Sequence, residues 1–253
     1  MLLPFGWATV ALGVLQAACV AVPRTGGAPA WLRRLRGRAW ALIAPASIVA
    51  VIGAISAASA VADGLTWLAF VAVPPLAALA LGRAARGARP VAAAALAPAL
   101  LAVAWAAKGT IAGEATAAML TALSCVALGW LLAAVTPATA LKLGIVAMAA
   151  IDAYLVFSNE LQGPNATLIA AAPLPSLPQL QFAGLHGATL GYGDLFVAGV
   201  FGATLAAERR PQLRAAALTL GLIIAWDLLF WVFDELPATV PVAVALLVCE
   251  ARR

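Results

Sequence analysis

Residues 190–201 read "LGYGDLFVAGVF", with one aspartate, Asp194, inside an otherwise apolar run and a glycine on each side of the tyrosine that precedes it. The solvent around this run decides how it folds. Of the 253 residues, 65% are hydrophobic and only 10% are charged, and the mean hydropathy is +1.04. A soluble domain carries about 25% charged residues. The composition therefore predicts a polytopic membrane protein, in which a carboxylate within the bilayer is costly and marks a function or a partner.

Charges, prolines and glycines divide the chain into nine apolar segments, near 2–22, 39–62, 65–82, 91–107, 117–135, 139–158, 185–206, 212–233 and 237–250. In lipid every backbone amide must be satisfied within its own segment, so these runs are expected to be helices. A transmembrane barrel needs short alternating segments, and these are continuous. The predicted fold class is all-α, with nine transmembrane helices. The first five (1–136) would form a scaffold and the last four (137–253) would carry the site, within one membrane domain.

Arginine and lysine set the expected orientation. Arg24, Arg33, Arg34, Arg36, Arg38, Arg83, Arg86, Arg89, Lys142, Arg209, Arg210, Arg214, Arg252 and Arg253 lie in alternate connections or at the C-terminus, and of the 15 basic residues only Lys108 lies on the other side. That other side holds Asp63, Glu114, Glu160, Asp234 and Glu235. The positive-inside rule then places the protein in the cell membrane with its N-terminus outside and its C-terminus in the cytoplasm. The net charge of +5 is spread between apolar runs and not along one face, which argues against nucleic acid as a partner. Cys19, Cys125 and Cys249 all fall in apolar segments, so neither a disulfide framework nor a metal cluster is expected. The N-terminal "LQAAC" has no basic region before it, and Gln16 stands where a lipoprotein signal needs an aliphatic residue. We read it as part of a retained first helix.

A second aspartate, Asp152 in "AMAAIDAYLVFS", lies on the sixth segment. Counted from the cytoplasmic boundary at about 1.5 Å per residue, Asp152 and Asp194 lie roughly 15 and 20 Å deep on consecutive antiparallel helices. Two carboxylates a few Å apart in a low-dielectric site cannot both ionise, so one keeps its proton. Such a pair offers an acid and a base with a water between them, as peptide hydrolysis requires. A polar contact joining two helices, or a proton relay, uses the same two residues. Gly191 and Gly193 weaken the helix beside Asp194 and leave room for a second backbone. In "ELPATVPVAVALL", Pro237 lacks an amide proton and Pro241 is expected to interrupt the hydrogen-bond ladder, freeing backbone carbonyls.

Taken in order, these features resemble the intramembrane aspartyl proteases, the signal peptide peptidase and presenilin family. That family has nine transmembrane helices, an aspartate in a "YD" context on helix six, "GxGD" on helix seven and "PAL" opening helix nine. Here Ile151 precedes Asp152, "GYGD" precedes "LFVAGVF", and Pro237, Ala238 and Thr239 open the last segment. The resemblance covers roughly 139–250 and departs at Ile151, in place of tyrosine, and at Thr239, in place of leucine. It implies Asp152 and Asp194 as the catalytic pair. Gly191, Tyr192, Gly193, Pro237, Ala238 and Thr239 would be substrate-binding residues. The partners it implies are transmembrane peptide substrates of type II orientation, or signal-peptide remnants, and membrane lipid. No cofactor, no metal and no obligate subunit is implied, and an oligomer is neither required nor excluded.

In the connection between segments six and seven, "ATLIA" is a candidate strand for pairing with an unwound substrate. Three other readings use the same residues. A prepilin-peptidase-like enzyme also uses "GxGD", but typically carries lysine two residues on, where this chain has Phe196. A proton-coupled transporter would need more polar residues in the first five segments. A non-catalytic scaffold would bind helices without cutting them. Asp227, in segment eight, is expected to be structural or to snorkel towards the outer interface, and His186 to sit at that interface.

Overall fold

The computed structural model describes residues 5–24, 28–85 and 89–252. Residues 2–4 of the first predicted segment, together with Arg86 and Arg253 of the basic set, lie outside them. The chain is mostly helical, as the continuous apolar runs require. In order come α1 (Trp7–Ala21), a short α2 (Ala30–Arg34), a 3-10 turn (Arg38–Leu42) leading into α3 (Ile43–Ala57), and α4 (Ala60–Ala84). The short α5 (Pro90–Ala94) precedes α6 (Leu96–Ala106), followed by α7 (Ile111–Val135), α8 (Ala138–Phe157) and α9 (Gln162–Ala170). Strands β1 (Phe182–Leu185) and β2 (Ala188–Gly191) lead into α10 (Tyr192–Leu205). Then come α11 (Arg209–Asp227), a 3-10 turn (Leu228–Trp231) and α12 (Val240–Ala251).

Among the described residues, five helices are long and apolar enough to cross a membrane: Arg38–Ala57, Ala60–Ala84, Ile111–Val135, Ala138–Phe157 and Arg209–Trp231. Trp7–Ala21, Pro90–Ala106, Tyr192–Leu205 and Val240–Ala251 are shorter apolar helices. The outward faces agree with a lipid setting. Leu68, Val71 and Leu143 are 62%, 68% and 73% exposed, an apolar exterior that water would penalise and hydrocarbon does not. The chain is a multi-pass membrane protein.

Helix α7 forms the centre of the bundle and packs most extensively against α10 and α4. Glycines set the approach of α7 to α10. A Cβ on Gly199 would lie 2.6 Å from the Cys125 carbonyl oxygen, and one on Gly129 would lie 2.5 Å from the Gly199 carbonyl carbon. Small residues that allow backbones to meet are how helices associate in lipid, where hydrophobic burial between helices contributes little. Helices α1 and α11 run antiparallel. The Arg209 guanidinium donates to the Ala21 carbonyl, Gln212 Nε2 donates to the Val20 carbonyl at 3.0 Å, and Gly13 faces the Ile223 side chain.

Several boundaries differ from the sequence expectation. The break expected at Asp63 and Gly64 falls at Ala58 and Ser59 instead, and Asp63 lies in the first turn of α4. A carboxylate there meets the positive end of the helix dipole, so it begins a helix and does not end one. The start of the seventh predicted segment is a hairpin. Leu185 pairs with Ala188 across His186 and Gly187, both at positive φ (46° and 85°), the geometry of a two-residue type I′ turn. "ATLIA" lies in α9 and is not a strand. Gln179 Nε2 donates to Ile169 and Ala171 carbonyls at 2.9 and 2.7 Å, and Gln181 Nε2 to Leu168 and Ala171 carbonyls at 3.2 and 3.0 Å. These amides satisfy the carbonyls that a helix end leaves free.

Candidate active site

Asp152 projects from the C-terminal half of α8 and is buried, 5% exposed. Its Oδ2 accepts a hydrogen bond from the Thr239 hydroxyl at 2.6 Å, which ties α8 to the turn that opens α12. Asp194 stands in the first turn of α10, where its Oδ2 accepts from the Gly191 amide at 3.0 Å. The carboxylate thus supplies the oxygen that an uncapped helix start lacks. Gly191 has an ordinary extended backbone, φ −64° and ψ 151°, so its lack of a side chain serves space. A Cβ there would lie 2.9 Å from Asp194 Oδ2.

Both carboxylates line one cavity of about 1190 Å³. Gly191, Tyr192, Gly193 and Ala238 also line it. Tyr192 is held against α7, its hydroxyl 2.8 Å from Ser124 Oγ and its carbonyl accepting from Cys125 Sγ at 3.6 Å. Pro237 and Thr239 are buried and do not line the cavity. Thr239, fully buried, bonds the aspartate and is not itself open to a ligand. Ile151 likewise lies outside the lining.

The turn before α12 differs from expectation in its carbonyls. Pro237 O accepts from the Val240 amide at 3.3 Å, Ala238 O from Gln16 Nε2 at 2.9 Å, and Thr239 O from the Ala243 amide at 3.1 Å. Pro241 falls at the start of the helix, where its missing amide proton has no intrahelical partner to lose, so it interrupts nothing.

Two residues enter the site that the sequence reading did not place there. Gln16, 1% exposed on α1, donates through Nε2 to the Asp194 carbonyl at 3.3 Å as well as to Ala238. It bridges the two motif-bearing segments from a helix assigned to the scaffold. Its signal was a lone side-chain amide in an apolar helix, which has to find partners inside the protein. Asp227 is buried at the end of α11, 7% exposed, and lines the same cavity. It does not snorkel. His186 stacks on Trp7 with ring centroids 5.5 Å apart at the cavity edge.

Cys19, Cys125 and Cys249 are not joined in a disulfide. Among the described residues no group of three or more His, Cys, Asp or Glu is placed to hold a metal ion. No protein-family model, curated protein or solved structure matches the chain.

Proposed function

We propose that this chain is an intramembrane aspartyl endopeptidase, which hydrolyses peptide bonds within the transmembrane helices of other proteins. The observation that carries this reading is the convergence of Asp152 and Asp194, from two different helices, on one cavity inside an apolar bundle. One carboxyl holds the proton and the other takes a proton from a water placed between them. The water attacks the peptide carbonyl, and the protonated carboxyl donates to the carbonyl oxygen. The proton taken from the water then passes to the leaving amine as the C–N bond breaks, and a hydroxyl of the tetrahedral intermediate returns its proton to the other carboxylate. The protons belong to the pair, so neither aspartate has a fixed role. Thr239 and the Gly191 amide hold the two carboxylates in position.

A substrate helix must unwind before attack, and each amide left unpaired in lipid costs several kcal/mol. Strand β2 offers an offset. Its residues Ala188, Thr189, Leu190 and Gly191 line the cavity immediately before Asp194, and β1 occupies one of its edges. In this reading the unwound segment pairs with the other edge as an added strand. The nine apolar helices are nine crossings, with the N-terminus outside and the C-terminus in the cytoplasm. This orientation suits type II substrates and signal-peptide remnants.

The test is incubation of the purified protein in liposomes with a panel of transmembrane peptides, followed by mass spectrometry of the products. Cuts within the apolar segment are expected. Cuts confined to the polar flanks, or intact peptides throughout the panel, would contradict the proposal.

A further inference from the structure

Asp227 is a buried carboxylate in the cavity that the proposed chemistry leaves unused. It is 7% exposed, it lines the cavity, and its Oδ2 has no hydrogen-bond partner. A buried carboxylate oxygen without a donor is a costly arrangement, and native proteins rarely keep one unless something else supplies the donor. Trp226 beside it also lines the cavity, with its indole N–H unpaired. Asp234 and Glu235 line the same cavity, and among its described lining residues there is no Lys or Arg.

The register of α1 against α11 gives the position of Asp227. Residues 21 and 209, 20 and 212, and 13 and 223 are matched across the antiparallel pair. One further turn sets Asp227 level with Thr9, which also lines the cavity. Thr9 lies seven residues along α1 from Gln16, the residue that touches the Asp194 carbonyl. At about 1.5 Å per residue the separation is roughly 10 Å. An extended peptide advances about 3.3 Å per residue, so this distance spans about three residues.

We propose that Asp227, in a cavity that Asp234 and Glu235 also line, is a binding subsite for a basic side chain of the substrate, about three residues from the scissile bond towards the Trp7 end of the cavity. The position relative to the cut rests on the protease reading, whereas the cation preference does not. A lysine or arginine would lay its methylene stem along the apolar wall and bring N–H donors to the Asp227 carboxylate. A charge-assisted hydrogen bond in such a setting corresponds to roughly tenfold or more in affinity.

The experiment moves a single lysine one residue at a time through the relevant half of a fluorescent transmembrane peptide. Binding is measured by anisotropy in detergent to protein carrying Asp152→Asn, with and without a second change at Asp227. One lysine position should bind about tenfold more tightly than its neighbours. Asp227→Asn should flatten that peak, and Asp227→Lys should move the preference to glutamate at the same position, a gain that a misfolded variant cannot produce. A flat lysine profile, or a peak that survives in Asp227→Asn, overturns the subsite. The same peptides are then given to the protein with both aspartates intact. Cleavage with a flat binding profile sinks the subsite alone, and a binding peak without any cleavage sinks the protease reading alone.

Discussion

The Thr239 hydroxyl donates to Asp152 Oδ2 at 2.6 Å, joining the C-terminal half of α8 to the turn that opens α12. The threonine is fully buried, so its hydroxyl has one evident purpose, to fix the orientation of that carboxylate. Thr239→Val keeps the shape and removes the donor, and it should lower peptide-cleavage kcat by roughly tenfold, the scale of one hydrogen bond to a charged group. Thr239→Ser should retain most activity. Equal rates in the valine and serine variants would show that the contact does not position Asp152.

Gln16 stitches α1 to both motif-bearing segments through the Asp194 and Ala238 carbonyls. Gln16→Leu should cost about 1–3 kcal/mol, because the Ala238 carbonyl then loses its donor in a buried setting. Thermal unfolding in detergent measures this, and an unchanged midpoint would contradict the bridging role.

The contact between α7 and α10 depends on Gly199, where an added Cβ would meet the Cys125 carbonyl oxygen at 2.6 Å. Gly199→Val forces the two central helices apart and should destabilise by about 3 kcal/mol or more. Gly53, with nothing within 4 Å of such a Cβ, provides the control, and Gly53→Ala within α3 should cause no loss of stability. Similar losses in both would remove the packing explanation.

The proposed orientation rests on the arginines and lysines, 14 of 15 of which lie in alternate connections between the apolar segments or at the C-terminus. A reporter that is active only in the cytoplasm should be active when fused to the C-terminus. Inactivity there, with activity in an N-terminal fusion, would reverse the topology.

Much of this bundle was legible because lipid makes hydropathy a nearly sufficient guide to where helices lie. Each of the nine apolar segments falls on an apolar helix, and Asp152 and Asp194 line one cavity. The errors came where local chemistry outweighs hydropathy. Asp63 was read as a break although helix starts favour carboxylates, and the hairpin before α10 was hidden within an apolar run. "ATLIA" has the β-branched residues of a strand, but Gln179 and Gln181 cap it as a helix from a distance no window reveals. Thr239 looked like a departure from a motif, and its hydroxyl proved to have a partner 87 positions away. Gln16 and Asp227 were each visible as polar residues in apolar helices, but which face they turned inward depended on packing.

The most direct test of the dyad compares four proteins, unaltered, Asp152→Asn, Asp194→Asn and the double variant, for cleavage of one transmembrane peptide. Groups that act as a unit are strongly non-additive. Each single change is expected to lower kcat by roughly a thousandfold or more, with the double variant no slower than either single one. Losses that multiply in the double variant, or a single variant that still cleaves at the original rate, would contradict a shared acid–base pair.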